Sequence, residues 1–200
     1  MVVLLGLLSC GKKEASTEVK PADTKPTESM SPEYQKISAE CDQGNGEACT
    51  KLAHAIMKGR AGAPTDKALA RALFTKACEQ SRLALTCVDL SVHYKRGDFP
   101  DVGANPESAT KYESIACDLG DKDSCVGVAF AYLQGTGVAA DKDKARAMFD
   151  SACDKDTQAA CYQLMKSLGD GTFSAKGDRD LAYYRKRSCT LGVPDACDAK

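Results

Sequence analysis

Apolar residues recur along this chain in two alternating registers, and a pair of cysteines marks each change from one to the other. Three residues after Cys49, Cys87, Cys125 and Cys161 stand Leu52, Leu90, Val128 and Leu164, and seven after them stand Ile56, Tyr94, Tyr132 and Leu168. These offsets share one face of an α-helix. A glycine follows ten residues after each cysteine (Gly59, Gly97, Gly135, Gly171) and predicts the stop. We term these segments A helices. The second register runs backwards from Cys78, Cys117, Cys153 and Cys189. Ala70, Ala109, Ala145 and Leu181 stand eight before, Leu73, Tyr112, Met148 and Tyr184 five before, and Ala77, Ala116, Ala152 and Ser188 one before. This stripe predicts B helices whose small residues allow close approach of their neighbours. Asn105-Pro106, Asp141 and Asp178 carry cap chemistry for their starts, and Ser31-Pro32 opens an earlier helix over 32–43.

Ten cysteines therefore fall in five pairs: Cys41 and Cys49, Cys78 and Cys87, Cys117 and Cys125, Cys153 and Cys161, Cys189 and Cys197. Pair members are 8, 9, 8, 8 and 8 residues apart, and first members recur after 37, 39, 36 and 36 residues. A fixed period of this length predicts an all-α array of antiparallel helix pairs, an α/α solenoid. In one continuous helix eight residues would span roughly 12 Å, whereas a disulfide needs Cα atoms within about 7 Å. The chain must reverse between the members of a pair, and Gly44, Gly120 and Gly192 provide turns. Zinc is the alternative. The spacings are wider than its usual ligand gaps and the chain has only 2 histidines, so disulfides fit better and no metal or other cofactor is expected.

The amino terminus reads differently. Val2 to Leu8 is a short apolar run followed by Ser9, Cys10 and Gly11, the length of a secretory segment rather than of a membrane span. Leu7-Leu8-Ser9-Cys10 resembles the lipobox of bacterial lipoproteins, which implies lipidation of Cys10. The absence of Lys or Arg before the run departs from that pattern. Residues 11–31 are rich in Lys, Glu, Thr, Ser and Pro, a composition that does not repay ordering. They predict a tether with a reach of roughly 25 Å. The expected organisation is a signal segment over 1–9, a lipidated Cys10 with its tether over 10–31, and a repeat domain over 32–200 of about four repeats with a truncated carboxy-terminal cap. Export supports disulfides in turn. A formal net charge of -1 gives no electrostatic case for nucleic acid.

The repeated pattern C-x2-[LV]-x3-[YIL]-x2-G, a loop, then A-x2-[LYM]-x3-[AS]-C resembles the Sel1-like repeat. The paired cysteines make it similar to the secreted cysteine-rich branch typified by the Helicobacter cysteine-rich proteins. The clearest stretches run from Cys125 through Tyr132 and Gly135 to Val138, and from Lys144 to Cys153. The resemblance implies a tetratricopeptide-like superhelix with A helices lining its concave side, and a surface that binds proteins or peptides. A-helix positions off the core stripe are the candidate contacts: His54, Lys58, Arg96, Phe130, Gln134, Tyr162 and Lys166. Two irregularities stand out. The second unit has a longer loop, Gly97 to Asn105, which is expected to bulge, and Phe173 follows the fourth stop where the repeat favours glycine.

The expected function is a non-enzymatic scaffold of the bacterial cell envelope, a lipid-anchored monomer that binds a protein or peptide. A competing reading is penicillin binding or weak β-lactam hydrolysis, suggested for some cysteine-rich relatives. Ser108 and Lys111 have the serine-lysine spacing of such enzymes but no accompanying Ser-Asp-Asn or Lys-Thr-Gly. A third reading is a structural spacer.

Overall fold

The computed structural model describes residues 31–60, 62–63 and 65–197; the signal segment, Cys10 and nearly all of the tether lie outside them. Ten helices follow in order: α1 (Pro32–Asp42), α2 (Gly46–Lys58), α3 (Lys67–Glu79), α4 (Ala84–Arg96), α5 (Pro106–Asp118), α6 (Lys122–Gln134), α7 (Lys142–Asp154), α8 (Gln158–Gly169), α9 (Leu181–Thr190) and α10 (Pro194–Cys197). The A helices are α2, α4, α6 and α8, and the B helices are α3, α5, α7 and α9. Each helix packs against the next in sequence, as a solenoid requires.

Side-chain caps set most of the helix starts. Ser31, Asn45, Asp66, Asn105, Asp121, Asp141 and Asp180 each accept the amide three residues on. The expected cap at Asp178 is thus corrected to Asp180. Lys176 and Arg179 pair backbone to backbone, and the tight turn between them occupies Asp178. The fourth stop also moves. Asp170, not Gly171, caps α8, and its carboxylate accepts the Thr172 amide at 2.9 Å, which turns the chain away from the helix axis.

All five cysteine pairs are disulfides, with Cα–Cα distances of 4.6, 4.9, 4.6, 4.7 and 4.8 Å. Each closes the reversal from a B-type helix into the next A-type helix. Gly44, Gly120 and Gly192 take φ of 92°, 96° and 85° in three of these turns. The other two place Arg82 (φ 52°) and Asp156 (φ 60°) in the same left-handed region. For an L-residue this costs roughly 1–2 kcal/mol, partly offset by the lower chain entropy that a side chain gives the unfolded state. Arg82 is exposed, so Arg82→Gly is expected to stabilise the fold by up to about 1 kcal/mol, measurable as a raised melting temperature.

The core follows the two stripes with one addition. Phe74 and Phe149, four before their cysteines, are fully buried, while Leu73 and Met148, five before, are only partly so. Both offsets lie on the inner face of a helix, and the larger ring takes the centre. Phe99 and Phe173, each twelve past an A-helix cysteine, join the two core clusters at 0% and 7% exposure. This corrects the expected bulge. Phe99 draws the 97–105 loop inwards, its ring 5.3 Å from that of Tyr94, and its carbonyl accepts the Gly103 amide at 2.8 Å. Gly137 holds the equivalent place in the third unit, where a Cβ would collide with the Pro106 carbonyl.

Successive units are also joined by polar contacts. Lys76 and Arg187, each two before a B-helix cysteine, donate to the carbonyls of Cys41 and Cys153 at the end of the preceding B-type helix. At the last interface Arg146, 2% exposed, faces Asp150 and donates to the Ser174 carbonyl, while the Tyr184 hydroxyl donates to Asp150. Burial, helped by the Asp150 carboxylate, pushes the Tyr184 phenol up to about 12. An unfolded tyrosine ionises near 10, so the contribution of neutral Tyr184 to stability is complete below about pH 10 and lost as pH rises through 12. Tyr184→Phe is expected to flatten the fall in stability across that window, followed by circular dichroism in denaturant at stepped pH.

Candidate functional surface

The seven surface candidates all lie on A helices. Lys58, Arg96, Gln134 and Lys166 are exposed, whereas His54, Phe130 and Tyr162 are half-buried. His54 and Lys58 share a groove of about 550 Å³ between α1 and α2, with Tyr34, Ile37 and Leu52 supplying apolar wall. Tyr162 and Lys166 also belong together, the ammonium 5.7 Å from the ring centroid. Phe130 is less available: its edge packs on Phe149 at 5.1 Å, within the second core cluster. Arg96 and Gln134 stand at the ends of α4 and α6.

The groove leads into a cluster that the sequence reading missed. His54 Nε2 meets Asp89 on α4 at 3.0 Å, and its ring sits edge-on to Phe74 at 4.9 Å. His93, one turn further along α4, bonds Asp98 through Nδ1 at 2.8 Å and lies 5.2 Å from Phe74 and 5.6 Å from Phe99. The two imidazoles are thus neighbours, 6.5 Å apart. The two histidines hold different repeat offsets, which concealed their proximity, although His54 and Phe74 occupy the offsets that Phe130 and Phe149 repeat. Each histidine's hydrogen bond is to a carboxylate rather than to a hydroxyl or thiol. Among the described residues no group of three or more His, Cys, Asp or Glu converges as metal ligands. The arrangement orients rings and charges for contact.

Ser108 and Lys111 lie in the opening turns of α5. Lys111 Nζ donates to Glu79 at 2.8 Å and stands 4.8 Å above the Tyr112 ring. The bond to Glu79 holds its ammonium above the usual lysine range. A lysine stabilised in its charged form is a poor base for activating a neighbouring serine.

Known proteins align with this architecture. The chain is 29% identical over 161 residues to cytochrome c oxidase assembly factor 7A of Xenopus laevis, covering 78% of this chain and 69% of that protein. Its fold is similar to that of c5321, a protective antigen of uropathogenic Escherichia coli, with a TM-score of 0.67 and 23% identity. That match covers 82% of this chain but only 34% of the antigen's, so this chain spans about a third of that structure's length. A Sel1 repeat protein of Oxalobacter formigenes matches with a TM-score of 0.65 and 22% identity over 82% of this chain and 65% of its own. The Sel1 repeat profile itself matches residues 46–81, 84–121 and 122–156, more than half of the chain. The chain belongs to the Sel1 repeat family.

Proposed function

We propose that this chain is a non-enzymatic, protein-binding scaffold of the bacterial cell envelope, carried on a lipidated Cys10 and the tether over 11–31. Its A-helix surface takes a segment of a partner protein, with the groove between α1 and α2 as the first contact. The observation that carries this reading is the groove itself, where His54 and Lys58 stand beside an apolar wall. Two further features support it. Five disulfides suit an oxidising compartment. A relative bears the name of a cytochrome c oxidase assembly factor, which is in keeping with a protein partner.

The test is photo-crosslinking in intact cells, with a photoreactive residue at position 51 on the groove wall and the His54→Ala/Lys58→Glu variant as comparison. One discrete adduct that the variant loses is the expected result. Adducts unchanged by the variant would remove the groove from the reading. Cys10→Ala is expected to move the protein from the membrane to the soluble fraction, and a variant that still sediments with membranes would refute the anchor.

A further inference from the structure

A second concavity of about 440 Å³ lies between the turn from α5 into α6, the body of α7, and the start of α8. Lys122, Lys144 and Lys155 stand on its three sides, against Asp118 as the single carboxylate of the lining. The repeat requires none of these lysines. At the offset of Lys122 the other units have Gly46, Ala84, Gln158 and Pro194. At that of Lys144 they have Pro32, Leu69, Ser108 and Asp180, and at that of Lys155, Gln43, Gln80, Leu119 and Leu191. Three non-periodic cations from separate elements therefore meet at one cavity, in a chain whose net charge is -1. None of the three forms a salt bridge among the described residues. Lys122 donates to the Lys155 carbonyl at 3.2 Å and Lys144 to the Tyr132 hydroxyl at 2.6 Å.

The start of α8 points the same way. Thr157 occupies its N-cap but makes no capping bond, so the opening amides of this helix of 12 residues keep their partial positive charge. Thr157 lines the cavity, is 7% exposed, and its hydroxyl has no hydrogen-bond partner. A buried hydroxyl without a partner beside three ammoniums that no carboxylate neutralises suits an anionic guest. Ser151 adds a second hydroxyl, and Ala147, Met148, Ala152 and the Cys117–Cys125 disulfide supply apolar wall.

We propose that this cavity docks a short acidic segment of a partner polypeptide, its carboxylates meeting Lys122, Lys144, Lys155 and the α8 start while one apolar side chain covers Met148. Charge complementarity selects the occupant, and the mixed wall distinguishes it from a bare inorganic anion. The site lies on different elements from the α1/α2 groove, so its failure would leave the reading above untouched.

The probe is a fluorescein-labelled, end-capped peptide of sequence Glu-Asp-Leu-Asp-Glu, followed by anisotropy on the full oxidised chain. Its amide counterpart Gln-Asn-Leu-Asn-Gln, inorganic phosphate and decanoate are the comparisons. Saturable binding of the acidic peptide is expected, at least tenfold tighter than the amide peptide. It should weaken at least tenfold in Lys122→Gln/Lys144→Gln/Lys155→Gln, whose three sites are exposed and leave the core intact. Met148→Glu should weaken it likewise, with the helical spectrum and absence of free thiols confirming the fold. Equal binding of both peptides, no saturation, or indifference to the lysine variant would overturn the proposal. Saturation by phosphate or decanoate without the peptide would overturn the polypeptide source.

Discussion

Replacing Cys153 and Cys161 together with alanine is expected to lower the free energy of unfolding by about 2–5 kcal/mol. The loop that this pair closes spans 8 residues, and the loop-entropy relation alone assigns such a loop about 2.5 kcal/mol. Both sulfurs are also fully buried, so the alanine pair leaves a void in the second core cluster. Domains of this size are stable by about 5–15 kcal/mol. Loss of two or three staples therefore brings the array to the edge of unfolding, and complete reduction should abolish its cooperative melt. The order of reduction is a separate expectation. Cys117–Cys125 and Cys189–Cys197 are partly exposed, whereas the other three pairs are buried. Graded reductant with alkylation and peptide mapping should label those two pairs first. An unchanged denaturation curve in the double-alanine variant would sink the staple account.

Asp150→Ala should be comparably damaging, at about 3–5 kcal/mol. Asp150 balances Arg146, whose side chain is 2% exposed, accepts the Tyr184 hydroxyl, and lies 3.8 Å from the Arg179 guanidinium. Removing the carboxylate strands the Arg146 charge inside the interface between α7 and α9. Changing both partners, Arg146→Met with Asp150→Leu, removes the stranded charge and should recover most of the loss. Chemical denaturation of the three variants measures this. If the single variant loses under 1 kcal/mol, or the double variant loses as much as the single, the buried pair does not organise this interface.

The helices were legible in the sequence because each obeys a local rule repeated four times over. The cysteine grid, the stripes at Leu52 and Ile56 or Ala70 and Ala77, and the caps at Asn105 and Asp141 each need only nearby residues. Expectations failed where a longer-range contact decided the outcome. Asp180 rather than Asp178 caps α9 because a backbone pair between Lys176 and Arg179 takes the intervening residues. The loop after Gly97 folds inwards because Phe99 finds the space beside His93 and Tyr94. The A helices that carry the surface candidates were legible, but the relations between those side chains were hidden. His54 meets Asp89 across units, and the convergence of Lys122, Lys144 and Lys155 joins three elements that no single-repeat pattern compares.

The local span of the staples has a mechanical consequence. Every disulfide joins residues only 8 or 9 apart, so each spans just the turn between two consecutive helices. Pulled from its two ends, the array can therefore peel apart unit by unit while each cross-link stays intact. An extended stretch of eight residues would measure about 27 Å, but a stapled one is held at 4.6 to 4.9 Å between Cα atoms. Each unit thus withholds about 22 Å of contour length from the stretched chain. An oxidised array under force should lengthen in shorter steps than a reduced one, and slackened it can re-form every turn from a pre-folded seed.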